Sequence, residues 1–508
     1  MMISVRVRVR VREMMKYSRL VSAGASSVAR WLCTAAVETE AEVTRRRGRE
    51  GRLYRRLSEL GLTGGTAGQA LNQYIREGKI VKKYELLRCI KELRKYGSYK
   101  HALQIMEWME MRNINFAFRD YATRLDLTSK AQGIAEAENY FSGLSQYAKN
   151  QCTYGALLNC YCKEKMTDKA LALFKKMDEM NIASTSVAFN NLMSLYMRLG
   201  QPEKVPPLIE EMRHRNIPLD TFSYNILMHS YSCLNDIEAV ERVFEEITEE
   251  NEKECDWTTF SNLAAVYVKY GLNEKAESAL KKLEEEMGPR SRYAYHCLIS
   301  LYAGTSNLDE VHRVWNSLKS GFPKTTNVSY RVMLHALDRL NDINGLKRCF
   351  EEWESSYSSY DIRLANVAIS AYLKNDMIVE AESVLDEAIK RSEGPFFKAW
   401  DMFMMFFLKQ RRVDSAFKYM ESALGHPKSE SVDKVLKYFE EEKNVDGAEE
   451  LCKTLKKVNR LDSKAYDSLL RTYIAAGKSA PDMRMRIEAD GIEVNSEFEN
   501  LLETVCPK

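Results

Sequence analysis

Residues 151–220 read QCTYGALLNCYCKEKMTDKALALFKKMDEMNIAST and then SVAFNNLMSLYMRLGQPEKVPPLIEEMRHRNIPLD, two segments of 35 residues that follow one pattern. An aromatic stands fourth in each (Tyr154, Phe189), a tyrosine eleventh (Tyr161, Tyr196) and a methionine twenty-seventh (Met177, Met212). Asn-Ile follows a few residues later. A unit of this length is one supersecondary element. Alone it cannot bury its apolar face, so it must stack on copies of itself.

Working outward, the second half of each unit carries an apolar stripe spaced i, i+4, i+7, the core face of a helix. The stripe is Ala170, Phe174, Met177 in the opening segment, and recurs as Ala102, Met106, Met109, as Ala137, Phe141, Leu144 and as Val240, Phe244, Ile247. It continues through Ala276, Leu280, Leu283, through Val311, Trp315, Leu318, through Leu346, Phe350, Trp353 and through Ala381, Leu385, Ala388. It ends with Ala416, Met420, Ala423 and Ala448, Cys452, Leu455. Before most of these lies a second helical stretch with an aromatic at its fourth place, such as Tyr224, Phe260, Tyr295, Tyr330, Trp400 and Tyr466. Short polar breaks separate the two, for example LND at 234–236 and 340–342. The fold class is therefore all-α: a solenoid of helix-turn-helix repeats of about 35 residues. The register is irregular near 118–150 and loosens after 428. Pro206 and Pro207 fall inside an expected second helix, which they must kink or delay.

A chain of 508 residues is too long for one ordinary globular core, a limit that a solenoid escapes. No apolar run is long enough to cross a membrane as a helix. The net charge of +3 hides an asymmetry: residues 1–60 hold 14 Lys/Arg against 6 Asp/Glu, leaving 61 against 66 in the rest. Bulk charge in the repeats does not announce a nucleic-acid binder. The 11 cysteines form no CxxC pair of the zinc type and read as free, buried thiols.

Residues 1–37 contain six arginines and Lys16 against the single acid Glu13, with Ser, Ala and Val among them. This is the composition of an organelle transit peptide. Its arginine content favours a mitochondrial presequence over a chloroplast one. A basic arm on RNA and an unstructured tail are the other readings. Residues 38–51 read as a linker, and 52–117 as degenerate helical repeats at the N-terminal end. Residues 118–428 are the repeat tract proper, and 429–508 are irregular repeats and a cap. GLTGGTAG at 61–68 lacks the following Gly-Lys-Ser/Thr of a phosphate loop and reads as a turn.

The repeat resembles the pentatricopeptide repeat (PPR) family. It shares the 35-residue period, the Tyr/Phe-Asn opening, Ala-x3-Phe-x2-Met in the second helix and Ile-Pro-Leu-Asp at 217–220. The tetratricopeptide pattern W-x2-L-G-x2-Y is absent. LNQYIREGK (71–79) and HALQIMEWM (101–109) resemble the N-terminal region of a land-plant, P-type, organellar subgroup. The chain ends in VCPK, without the Asp-Tyr-Trp ending or deaminase signature of editing members. The resemblance implies a right-handed α-solenoid that binds single-stranded RNA, with first helices on the concave side and no enzyme domain.

Over the first 15 residues of the seven units that start at 151, 186, 221, 257, 292, 327 and 362, nine basic residues face three acids. The basic ones are Lys163, Lys165, Arg198, Lys269, Arg292, Arg331, Arg339, Arg363 and Lys374. Acidic runs such as EEITEENEKE (245–254) read as solvated outer faces. A mildly basic face on an acidic body attracts and orients a phosphate backbone. In the family, a base is read by the fifth and last residues of each repeat. Carried over, the pairs are Gly155 with Thr185, Asn190 with Asp220, Asn225 with Asp256, Ser261 with Ser291, His296 with Thr326, Arg331 with Asp361 and Asn366 with Phe396. The two Asn-Asp pairs match the family combination associated with uridine.

Catalysis has no support: the seven histidines are scattered and no metalloprotease, nucleophile-elbow or dinucleotide motif occurs. The expectation is a mitochondrial RNA-binding protein acting in transcript stability, processing or translation, with no cofactor and no bound metal. Its partners would be an organellar transcript or rRNA, and RNA-processing or ribosomal proteins. The alternative is a scaffold or ribosome-associated subunit making protein and rRNA contacts.

Overall fold

A computed structural model describes residues 53–60, 64–250, 255–288, 291–356, 360–425, 431–494 and 496–506. The expected presequence and linker lie outside them. The described residues are helical, without a strand, and form two compact units, one ending at Met287 and one beginning at Gly288.

In the first unit the regular pairs are Gln151–Lys163 with Thr167–Glu179, Ser186–Leu199 with Val205–His214, Thr221–Cys233 with Ile237–Glu250, and Trp257–Tyr270 with Asn273–Glu286. Before them stand Ala67–Arg76, the pair Lys83–Lys95 with Tyr99–Met111, and the pair Phe118–Gln132 with Ile134–Gly143. In the second unit the pairs begin at Arg292, Asn327, Ile362, Phe397, Val432 and Ser463, and Ser496–Val505 closes the series.

The breaks have a stereochemical cause. In both LND motifs the asparagine is left-handed, with φ 62° at Asn235 and 56° at Asn341, the conformation that ends a helix. The aspartate after it starts the next helix: Asp236 accepts from the Ala239 N–H and Asp342 from the Gly345 N–H, each at 2.9 Å. Three residues thus stop one helix and cap another. The irregular 118–150 repeat has a one-residue junction, Gly133, at φ 101°, a backbone that only glycine adopts easily.

The predicted stripes form the core. Ala170, Val240, Ala276, Leu280, Val311, Leu346, Ala381 and Ala416 have no exposed surface. The fourth-position aromatic of one repeat meets the aromatic of the preceding stripe edge to face. Centroids lie 5.0 Å apart for Phe141–Tyr154, 5.1 Å for Phe174–Phe189 and 5.4 Å for Trp315–Tyr330. Such a pair adds about 0.5–1.5 kcal/mol beyond area burial. The period therefore serves stacking as much as helix formation.

The prolines delay the second helix rather than kinking it. Pro202–Lys204 forms a 3-10 turn, and the α-helix starts at Val205 with proline in its first turn. Pro206 has no N–H to bond the carbonyl four residues back. That carbonyl, of Pro202, accepts from the Val205 N–H of the 3-10 turn and from the buried Ser230 hydroxyl, the latter at 2.8 Å. Among the described cysteines, all free, Cys89, Cys160, Cys162, Cys349 and Cys452 are buried, but Cys152 and Cys233 are exposed, against expectation.

Candidate nucleic-acid interface

Each first helix of the regular tract begins just after the last residue of the preceding repeat. That residue is its N-cap. Asp220 accepts from the Ser223 N–H at 2.8 Å, and Asp256 from the Thr258 and Thr259 N–H groups at 2.8 and 3.1 Å. Ser291 accepts from Ala294 N–H, Thr326 from Ser329 N–H and Asp361 from Arg363 N–H. Helix capping thus accounts for Asp, Ser or Thr at five of the seven expected last positions, whereas Thr185 makes no side-chain cap bond. The signal was present in the sequence, as a capping residue ahead of an apolar run.

The fifth residue lies one turn into the helix, and in one repeat it meets the last residue directly. The Asn190 amide donates to both carboxylate oxygens of Asp220, at 3.1 and 3.2 Å. Its carbonyl oxygen accepts from the Ser223 hydroxyl at 2.9 Å, and the Ser186 hydroxyl donates to Asp220 at 2.8 Å. Asn190 is 6% exposed. The pair is a rigid, pre-organised unit.

The second Asn-Asp pair is built differently. Asn225 donates to the Thr258 hydroxyl at 3.4 Å rather than to Asp256, and Thr258 in turn bonds Asp256. Among the described residues the Asn225 oxygen is buried without a partner, as are oxygens of Asn366 and of Asp401, the fifth residue of the repeat starting at Phe397. His296 bonds the Ser329 hydroxyl at 2.8 Å, and Thr326 bonds the same hydroxyl at 3.0 Å. This copies the arrangement of Asn190, Ser223 and Asp220. Burial, with Arg292 and Arg331 nearby, pushes the imidazole down to about 4, so it is neutral at physiological pH. Gly155 offers no side chain, and Ser261 is half-buried. Phe396 lies edge to face on Trp400 at 5.8 Å.

The basic residues divide into two groups. Four of them tie neighbouring repeats together by capping carbonyls at the end of the preceding first helix. Arg198 donates to Cys162 O at 3.5 Å, Lys269 to Ser232 O, Arg339 to Gly304 O at 3.3 Å and Lys374 to Asp338 O at 3.2 Å. Cations suit the negative end of a helix. Others keep their charge at the surface. Lys165 is exposed, and Arg331 is half-buried and forms no hydrogen bond or ion pair among the described residues. Arg363 pairs with Asp361 at 2.8 and 2.6 Å, which occupies the carboxylate expected to serve Arg331. Lys163 lies 3.5 Å from Asp126, a buried acid that the sequence reading missed. Asp126 and Lys130, spaced i, i+4 and 2.6 Å apart, were the legible sign of it.

A row of first helices, most of them capped by the last residue of the preceding repeat, each paired with a second helix, defines an all-α helical-repeat protein. The chain belongs to the pentatricopeptide repeat family. The model described as PPR repeat family matches residues 184–233, and the PPR repeat model matches 152–182, 222–252 and 364–392. A mitochondrial pentatricopeptide repeat-containing protein of Arabidopsis thaliana is 46% identical, over 90% of this chain and 87% of its own length. The large ribosomal subunit protein mL101 (rPPR4) of the same plant is 47% identical, over 89% of this chain and 94% of its own. Among solved structures, the pentatricopeptide repeat protein PPR10 from maize superposes with a TM-score of 0.55 at 18% identity, covering 89% of this chain and 65% of that one. This last likeness supports the fold.

Proposed function

We infer that this chain is a mitochondrial RNA-binding protein that acts on transcript stability, processing or translation by occupying single-stranded RNA. The observation that carries it is the Asn190–Asp220 unit. A rigid amide–carboxylate pair at the start of a first helix sets side by side the donor and acceptor types that read a base edge. Asn225, linked through Thr258 to Asp256, extends the row. Ser261 with Ser291, and Asn366, would continue it, with Lys163, Lys165, Arg198, Lys269, Arg331 and Arg363 supplying positive charge along the backbone.

In this reading residues 1–37 are a mitochondrial presequence, 38–51 a linker, 52–117 degenerate repeats, 118–428 the binding tract and 429–508 a terminal region of irregular repeats. The protein acts by binding, without chemistry of its own. Among the described residues no group of three or more His, Cys, Asp or Glu side chains is placed to hold a metal ion. None of their helices is long and apolar enough to cross a membrane.

The test is to crosslink the tagged protein in isolated mitochondria and sequence the bound RNA. A sharp footprint within one transcript is the expected result. A second reading is favoured by the 47% identity to mL101: a ribosome-associated subunit held by protein and rRNA contacts. Crosslinks confined to ribosomal RNA, with co-sedimentation on the large subunit, would establish that reading instead.

A further inference from the structure

In the first unit, three cations from three successive first helices converge on one carboxylate. Asp126, 6% exposed, lies on the Phe118–Gln132 helix. Lys130 of the same helix reaches it at 2.6 Å, Arg94 of the Lys83–Lys95 helix at 2.8 Å and Lys163 of the Gln151–Lys163 helix at 3.5 Å. One carboxylate is neutralised by one cation, and Lys130, a turn away on the same helix, suffices. Arg94 and Lys163 come from the neighbouring repeats and keep 37% and 32% of their side chains exposed. None of the three cations pairs with another carboxylate among the described residues. The Tyr99 ring lies under the Lys130 ammonium at 5.0 Å, limiting its movement. The cluster therefore carries two formal positive charges beyond its own acid. All three cations stand near the C-terminal ends of their helices, which favour cations. That favour falls off within a turn, so an approaching anion meets the formal surplus.

We propose that Arg94, Lys130 and Lys163, held together by Asp126, form a seat for a phosphate group of the bound RNA. A terminal monophosphate carries about −1.5 to −2 at neutral pH and matches the surplus. An internal phosphodiester carries one charge, and is the other source of the same chemistry. Asp126 acts as the template that gathers cations from three repeats into the span of one phosphate, which scattered surface lysines cannot do. The ligand assignment rests on the RNA-binding reading above, but the seat itself makes a claim independent of it.

The experiment uses the full chain, unaltered and as Lys163→Gln and Asp126→Asn, each checked for an unchanged helical circular dichroism spectrum. Inorganic phosphate is the first probe. It should raise the melting temperature of the unaltered chain, raise that of Lys163→Gln much less, and raise that of Asp126→Asn at least as much as the unaltered chain, because the competing anion is gone. No phosphate effect on the unaltered chain, or an equal effect in Lys163→Gln, overturns the seat. A uridine-rich oligoribonucleotide is the second probe, in 5′-phosphorylated and 5′-hydroxyl forms. Lys163→Gln should weaken binding by roughly 3- to 10-fold and lower the slope of log K against log salt by about 0.7, the value for one lost phosphate contact on a single strand. Loss confined to the phosphorylated form identifies a terminal phosphate, and equal loss identifies an internal one. RNA binding that Lys163→Gln leaves intact overturns the seat while the RNA reading stands. A chain that binds phosphate but no RNA keeps the seat and removes that reading.

Discussion

The carboxylate of Asp220 caps a helix and holds Asn190 with the same atoms. Capping and base reading can therefore be separated by choice of substitution. Asp220→Ala should destabilise the chain by about 1–2 kcal/mol through the lost cap. Asp220→Ser should restore most of that stability, because serine caps well, but not the contact to Asn190. If uridine preference depends on the pair, Asp220→Ser will lose preference at near-normal melting temperature; retained preference would place base reading elsewhere. Asp126 makes a pH prediction. Burial alone would raise its carboxyl, but Lys163, Lys130 and Arg94 override burial and hold it down at about 2. A depressed carboxylate contributes stability that is present above about pH 4 and lost as pH falls toward 2. The amount is on the order of 2 kcal/mol. Urea melts between pH 5 and 2 should show this loss in the unaltered chain, and a flatter profile in Asp126→Asn.

At the scale of helices, the proline-delayed start at Val205 is joined to the next repeat by one side chain, Ser230. Ser230→Ala leaves the Pro202 carbonyl without its hydroxyl donor and should cost about 1 kcal/mol in thermal or urea unfolding. The same substitution at Ser232, whose backbone carbonyl rather than hydroxyl meets Lys269, should cost less. The cations at the helix ends make a related point. Lys269→Met keeps the aliphatic stem and removes the donor, so its effect on stability measures the carbonyl cap, on the order of 0.5–1 kcal/mol. Salt dependence of RNA binding measures whether the same ammonium also faces phosphate. A stability loss with an unchanged salt slope would remove Lys269 from the list of RNA contacts. Arg331, with no hydrogen bond or ion pair among the described residues, should show the opposite: Arg331→Gln weakens RNA binding with little change in melting temperature.

Across the whole chain, stability is a sum of repeats and their seams, because each pair buries its stripe only against its neighbours. A substitution in one stripe is felt locally. Trp353→Ala, at a fully buried core position, should cost about 3–5 kcal/mol and unfold the second unit first. Hydrogen exchange read by mass spectrometry would show early loss of protection around residues 343–374, with repeats of the first unit still protected. Uniform loss along the chain would contradict the nearest-neighbour picture. Relatives 46–47% identical over almost the whole chain include both a mitochondrial pentatricopeptide repeat-containing protein and a ribosomal subunit protein. A shared scaffold therefore does not by itself fix function.

The period, the stripes and the turn chemistry determined the fold, because they are local: a left-handed asparagine and a capping aspartate act within three residues, and a core stripe is a spacing along one helix. The basic bias of the first helices was legible for the same reason. The tertiary structure decided what the polar side chains do. Residues some 30 apart in sequence meet only after two helices have stacked, so the joined pair Asn190–Asp220, its looser counterpart Asn225–Thr258 and the seam caps of Lys269 and Lys374 have no local signature. The buried Asp126 is the sharpest case. Its spacing to Lys130 was visible, but the arrival of Arg94 and Lys163 from two other repeats depends on how three first helices pack side by side.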